Sequence, residues 1–316
     1  MDVFNRLKDI LVRSRESRFI VSDKAELPID KALFSPLSPV VSGRPVILVD
    51  GGNGEIAKAS DFSLHFARIA FVKYKNNKRV DSSVRECFII ANSLVEGNRL
   101  FFRVDCIDAR DGGVFDSFRI DARDKALSTG NKLIEPDVAV LHVRKLLELK
   151  LLLDLAEKDS DCGVLVRDGD FEDGPFVGDI LSGLKRSGRV VFGVSKTSTL
   201  LTDSGDAAVE VLLRFGGRGP WVYKADSSFY FVKFHSSSDY VFKVDFLGDP
   251  DISVLSELAG MCSDPVFLGY PYGLIAVDAL ARVSSSFVDI YRALFESVVG
   301  VSQVSKNAHD ILNKVA

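Results

Sequence analysis

The sequence predicts an α/β protein built on one mixed β-sheet flanked by helices. Three observations carry this. Strand-like segments follow one another from Val46 to Asp121, close enough to pair antiparallel. The order then changes to helix–strand–helix–strand between Pro136 and Ser198, and the chain ends in helical patterns. Strands run together and then interleaved with helices are the signature of a mixed sheet with helices on its faces.

Residues 2–15 read as an amphipathic helix, with Val3, Leu7, Ile10 and Leu11 at helical spacing. Residues 24–45 hold four prolines and read as an irregular connector. "PVILVDGG" is the first strand of the sheet and "FSLHFARIAFVKY" the second. "ECFIIANSL" and "RLFFRVDCI" follow, with "VEGN" between them as a hairpin turn, and "FDSFRID" extends the sheet.

A long helix starts near Pro136 and runs to about Lys158; proline suits its first turn and Asp137 the positive end of its dipole. "GVLVRDGDF" reads as a buried strand, "FVGDILSGLKRSG" as a helix, and "RVVFGVSKTS" as a strand. Residues 207–214 form a short helix, "GGRGPW" a loop, and "SSFYFVKF" with "DYVFKVDFL" a hairpin. The rest is helical, over roughly 251–262, 272–296 and 302–315. The expected division is a helix and connector over 1–45 and a single domain over 46–316.

A length of 316 residues with 47% hydrophobic and 27% charged residues fits a globular protein with a sizeable core. A net charge of -4 means that any nucleic-acid contact comes from local basic patches, and it does not exclude a nuclease, because a metal-binding cleft is itself acidic. Cys87, Cys106, Cys162 and Cys262 lie far apart without a CxxC, so they read as reduced, buried thiols. The N-terminus lacks the apolar stretch of a signal peptide, and no segment is apolar for long enough to span a bilayer; a cytoplasmic protein is expected.

Two strands end alike. "VILVDGG" and "GVLVRDGD" each place Asp-Gly at the exit of a near-continuous apolar run, the mark of a strand buried on both faces. Ligand sites of α/β sheets gather at the carboxyl ends of such strands, so Asp50 and Asp168 are expected side by side. Either pair alone reads as turn chemistry. Together the carboxylates repel, and a divalent cation with a taste for hard oxygen ligands, Mg²⁺ or Mn²⁺, removes the repulsion.

A third acid sits in the long helix. Glu148 shares a face with Leu141, Leu151, Leu152 and Leu155, where an unpaired carboxylate costs several kcal/mol. It is read either as a third metal ligand or as the partner of Arg144, one turn earlier; Asp154 and Glu157 are the alternative helix acids. Asp, Glu and Asp from strand, helix and strand form the acidic core of metal-dependent phosphodiester hydrolysis. There a divalent metal polarises the phosphate and activates water, and a pair about 4 Å apart clamps the attacking and leaving oxygens. An RNase H-like sheet is a scaffold for that arrangement.

Five stretches in order resemble the NurA family of archaeal and bacterial nucleases: "VILVDGGNGE", "RKLLELKLLLDLAE" with "GVLVRDGDF", "VVFGVSK", "FYFVKFHSSSDYVFKVDF" and "YPYGLIAVDALARVS". The resemblance runs from about residue 46 to the end. It implies an RNase H/PIWI-like fold and a Mn²⁺-dependent 5′-to-3′ exonuclease with single-strand endonuclease activity. It further implies a homodimer that works with the hexameric HerA ATPase in resecting DNA ends for recombination and double-strand break repair.

Carried over, Asp50, Glu148 and Asp168 become the metal-binding acids and Lys196 a residue near the scissile phosphate, while Tyr270 and Tyr272 match the aromatic positions of the last motif. The family usually has a histidine where this chain has Asp278. An aspartate there would make a four-acid set, but it is not a proton donor near neutral pH at its ordinary pKa. Arg167 and Asp170 also depart from the usual surroundings of the second Asp-Gly; Arg167 should point away from Asp168, one residue along a strand.

For nucleic acid, Lys196 follows a strand exit as the two aspartates do. Lys185, Arg186 and Arg189 cluster before that strand, and Arg214, Arg218 and Lys224 surround "GGRGPWVYK". Trp221, the single tryptophan, reads either as a platform for an unpaired base or, more commonly for such a residue, as a plug into the core. "KYKNNKR" reads as a solvated turn.

Other chemistries fit poorly. His65, His142, His235 and His309 lack zinc-hydrolase spacing, and there is no P-loop or GxSxG elbow. "DGGNGE" also resembles the first phosphate loop of actin-like sugar kinases, a fold that would need a second glycine-rich loop near the C-terminus; "GGRGPW" is poorly placed for that role, being followed by a hairpin. A non-catalytic DNA-end or ATPase-binding subunit with the same fold is the second reading, motivated by Asp278, and an ATP-dependent kinase of actin-like fold is the third.

Overall fold

The computed structural model describes residues 3–6, 17–22, 26–128, 130–227 and 229–299. Of the expected first helix, residues 3–6 are helical; the rest of it, and the helix expected over 302–315, lie outside the described residues.

In chain order the first strands are β1 (Phe19–Val21), β2 (Glu26–Pro28) and β3 (Phe34–Pro36). The long antiparallel run is β4 (Val46–Lys58), β5 (Phe62–Lys75), β6 (Lys78–Glu96), β7 (Arg99–Asp108) and β8 (Val114–Asp121). Then come α1 (Pro136–Lys158), β9 (Val164–Asp168), α2 (Val177–Arg186), β10 (Val190–Ser195), β11 (Leu201–Thr202) and α3 (Ala208–Phe215). The chain closes with β12 (Trp221–Lys224), β13 (Phe229–Lys233), β14 (Phe242–Phe246), α4 (Ser253–Ala259), α5 (Tyr272–Ala281) and α6 (Ser285–Val299).

The chain divides into two compact units, Met1–Val40 with Val194–Tyr270, and Val41–Gly193 with Pro271–Ala316. Part of the segment read as an irregular connector is regular, with strands over Glu26–Pro28 and Phe34–Pro36. In the smaller unit β1 pairs with β2 and β11, and β3 pairs antiparallel with β12, ahead of β13 and β14. The prolines are compatible because β2 and β3 are edge strands and carry Pro28 and Pro36 at their last residues. Ile20, Leu27, Leu212, Trp221, Tyr223 and Phe231 fill that unit's core.

In the larger unit the strand order is β10-β9-β4-β5-β6-β7-β8. β9 runs parallel to β4 and the pairs from β4 to β8 are antiparallel, so the sheet is mixed as expected. "KNNK" is the two-residue turn between β5 and β6, with Asn76 and Asn77 both at positive φ, 52° and 57°. Paired left-handed residues match the twist of a tight hairpin, and asparagine tolerates that conformation.

Helix α1 packs on β4 to β7, while α5 lies on β4 and β5. Its buried stripe includes Val143, Leu146, Glu148, Leu149 and Leu152, whereas Leu141 is exposed, so the stripe is rotated from the one drawn through Leu141. Asp154 and Glu157 are exposed, and Asp154 pairs with Lys158, which removes both as alternatives to Glu148.

The helix expected over 272–296 breaks at residues 282–284. Arg282 turns extended, and the Ser284 hydroxyl accepts from the Phe287 amide at 3.3 Å. A serine run offers this kind of N-terminal capping in place of helix continuation. The four cysteines are free and buried. No described helix is long and apolar enough to cross a membrane.

Candidate metal centre

β4 does not end at Asp50. Its pairing with β9 stops at Val49↔Arg167, but its pairing with β5 continues through Gly51, Gly52, Asn53 and Gly54. Asp50 therefore stands where two parallel central strands part, level with Asp168, the last residue of β9. Because "DGGNG" is strand, it is not a kinase-type phosphate loop.

The glycines belong to packing. A Cβ on Gly51 would collide with the Glu148 carboxylate of α1, and one on Gly52 with the Ala281 carbonyl of α5. Successive strand positions face opposite sides, so α1 and α5 cover opposite faces of β4. This corrects the expectation that Glu148 shares one site with the aspartates: Glu148 lies on the Gly51 face, and Asp50 belongs to the Gly52 face.

On that second face, one carboxylate oxygen each from Asp50, Asp168 and Asp278 lies within 4.8 Å of the others, and all three residues are half-buried. Asp278 comes from α5. The Gly51 amide donates to Asp50 Oδ1 at 2.7 Å, and Arg282 Nη2 to Asp278 Oδ2 at 2.5 Å. Arg68 Nη1 donates to the Arg282 carbonyl at 3.0 Å, tying that turn to β5. Three carboxylates this close repel one another, and a hard divalent cation offsets the repulsion. Oxygens at right angles around such an ion sit about 3 Å apart, so the cluster needs little closure to serve as a ligand set.

On the first face, Glu148 is 1% exposed and held between two arginines. Arg167 Nε and Nη2 donate to its Oε2 at 3.1 and 3.0 Å, and Arg144 Nη1 donates to Oε1. Arg144 also donates to the Gly51 carbonyl, and Arg167 Nη1 to the Asp170 carbonyl. A carboxylate with two guanidinium partners is already satisfied.

Lys196, Tyr270, Arg218 and Trp221 belong to the smaller unit. Lys196 is exposed, its Nζ 5.3 Å from the centre of the Tyr270 ring, and Arg218 is exposed in the loop before β12. Trp221 is 3% exposed and packs edge-on to Phe34; Tyr270 is 1% exposed and stacks on Phe267. Both rings are thus buried, which for Trp221 is the reading as a plug into the core and leaves neither Trp221 nor Tyr270 open as a nucleic-acid contact. Tyr272, in the larger unit, is half-buried; its hydroxyl donates to the Asn77 carbonyl and its ring packs on Tyr74.

No protein-family model matches the chain, and no curated protein matches it in sequence. Among solved structures, the NurA nuclease from Sulfolobus solfataricus aligns with 88% of this chain and 92% of its own at 14% identity, with a TM-score of 0.51. The chain has the NurA fold. Human ENDOV aligns over 79% of this chain and 85% of its own, also at 14% identity, with a TM-score of 0.41. Endonuclease V from Streptomyces avermitilis aligns over 83% and 86% at 16% identity, with a TM-score of 0.38.

Within the NurA fold, sequence reasoning missed Arg282 and the joint role of Arg144 and Arg167. The Arg282 signal was present: it lies four residues after Asp278, one helical turn away. Arg167 stood out in sequence as a charge inside an apolar strand, but nothing in the sequence named its partner.

Proposed function

We propose that this protein is a divalent-metal-dependent nuclease that hydrolyses DNA phosphodiester bonds at Asp50, Asp168 and Asp278. The observation that carries the reading is the convergence of three carboxylate oxygens within 4.8 Å where β4 and β9 part. The likeness in fold to a NurA nuclease supports it. A cation held there would polarise the phosphate and activate water for attack. Asp50, Asp168 and Asp278 would hold the cation, and Arg282, 71% exposed at its side chain, would meet a phosphate beside Asp278.

The finer assignments follow the NurA resemblance: Mn²⁺ as the metal, 5′-to-3′ exonuclease and single-strand endonuclease activities, and a homodimer. A HerA-like hexameric translocase is the proposed partner, DNA end resection the proposed role, and Lys196 with Arg218 the proposed phosphate contacts. Glu148 enters as a supporting acid in place of a ligand.

The test is cleavage of end-labelled single- and double-stranded DNA with Mn²⁺, Mg²⁺ or chelator. Product with metal alone, lost in Asp50→Asn, is the expected result. DNA left intact under both metals would overturn the nuclease reading and leave a non-catalytic DNA-end or ATPase-binding subunit.

A further inference from the structure

Asp50, inside β4, and Asp168, the last residue of β9, stand just past the last paired residues of those two strands, Val49 and Arg167. Something else must fix the spacing of the carboxylates. On the opposite face, one chain of buried charges crosses the gap. Arg144 grips the Gly51 carbonyl, one residue past Asp50, and also Glu148. Glu148 accepts from Arg167, and Arg167 grips the Asp170 carbonyl, two residues past Asp168. Arg144 and Glu148 are one helical turn apart on α1, so the helix supplies a rigid bar between the two strand ends. Gly51 makes room for this arrangement, since any side chain there would displace the Glu148 carboxylate.

We infer that Arg144, Glu148 and Arg167 form a positioning staple that sets the distance between Asp50 and Asp168 from behind the sheet. The staple's effect on metal binding rests on the reading of the three aspartates as a metal site; its effect on the strands does not. The guanidiniums bind backbone carbonyls, whose positions differ little between side-chain rotamers, and this makes the staple a device for placing main chain.

Two measurements test this on the full chain. The first is hydrogen exchange of peptides spanning 50–54 and 167–172. Glu148→Gln, and the Glu148→Leu/Arg167→Met double variant, which removes one arginine together with the carboxylate and leaves only the half-buried Arg144 on the Gly51 carbonyl, should each raise local exchange about tenfold. Lys73→Met, which breaks a buried ion pair with Asp159 elsewhere in the sheet, should leave those peptides unchanged. The second is Mn²⁺ binding followed by electron paramagnetic resonance. The double variant should weaken it about tenfold, while Asp50→Asn loses it.

Unchanged exchange in both Glu148 variants overturns the staple. So does loss of Mn²⁺ in Glu148→Gln as complete as in Asp50→Asn, which would make Glu148 a ligand. A wild-type protein that binds no Mn²⁺ would instead refute the metal site, with exchange alone then deciding the staple.

Discussion

Arg167 and Asp168 are neighbours on β9 with opposite duties: Arg167 donates to Glu148 at 3.0 and 3.1 Å under α1, and Asp168 joins Asp50 and Asp278 on the other face. The first group is buried and the second is half-exposed, and their energetics should differ accordingly. Glu148→Leu leaves two guanidiniums without their carboxylate and should cost about 3–5 kcal/mol of folding stability. Asp278→Asn relieves repulsion at a partly solvated site and should stay within about 1 kcal/mol of wild type. Urea unfolding measures both; equal costs would contradict the two-face arrangement.

Relief of that repulsion also predicts stabilisation by metal. Free Mn²⁺ at one hundred times its dissociation constant should add about 2.7 kcal/mol, seen as a rise in Tm that chelator reverses. Asp50→Asn, Asp168→Asn and Asp278→Asn should each abolish the rise. A full rise in Asp278→Asn would remove that residue from the ligand set.

The adjacent glycines should respond unequally to alanine. At Gly51 the new methyl meets the end of a side chain, Glu148, whereas at Gly52 it meets the backbone carbonyl of Ala281. Overpacking costs about 1–3 kcal/mol where neighbours can shift. Backbone yields less than side chain, so Gly52→Ala should cost more than Gly51→Ala. Gly52→Ala should also disturb Asp278, which sits one turn before Ala281 on α5. Thermal melts of both variants, with and without Mn²⁺, decide this; a milder effect at Gly52 would reverse the assignment of faces.

These contrasts show what the sequence could and could not convey. The apolar runs ending at Asp50 and Asp168 were legible because burial on both faces leaves a compositional mark, and their parallel adjacency followed. Helix α1 was legible from Pro136 to Lys158. Which way Glu148 faces was not legible, because the answer depends on α1 and α5 taking opposite sides of β4. Asp278 was seen as a residue but placed among the ligands only through a departure from the NurA pattern; its partner Arg282 went unnoticed. The reading of 24–45 as a connector failed over 26–36 because prolines read as punctuation, and only the sheet shows that Pro28 and Pro36 sit on edges.

Trp221 and Lys196 offer a paired test of whether DNA touches the smaller unit. Trp221 is core, so Trp221→Ala should cost about 3–5 kcal/mol of stability, with DNA affinity unchanged where the variant is folded. Lys196→Ala, at an exposed position, should leave stability within about 0.5 kcal/mol and weaken DNA binding, lowering its salt dependence. Fluorescence anisotropy with a labelled oligonucleotide at several salt concentrations reads both; a fall in affinity from Trp221→Ala alone would restore the tryptophan as a base platform.

Acid should destabilise the fold through His65. His65, on β5, is 4% exposed. Asn53 Nδ2 lies 2.8 Å from its Nδ1, and Ser63 Oγ lies 3.1 Å from its Nε2. Burial, which disfavours the charged ring, holds its pKa down at about 4, against an ordinary 6.5. Between those values the unfolded chain binds a proton that the folded protein excludes, so acid favours unfolding. The contribution is fully present above about pH 6.5 and falls away as the pH drops to about 4, a loss of about 3 kcal/mol at 1.36 kcal/mol per unit. His65→Gln can still hydrogen-bond Asn53 or Ser63 but cannot titrate. Urea unfolding at pH 7 and pH 4 should therefore show a steeper acid loss for wild type than for the variant. Parallel losses in the two proteins would mean that the imidazole takes up its proton within the fold without penalty.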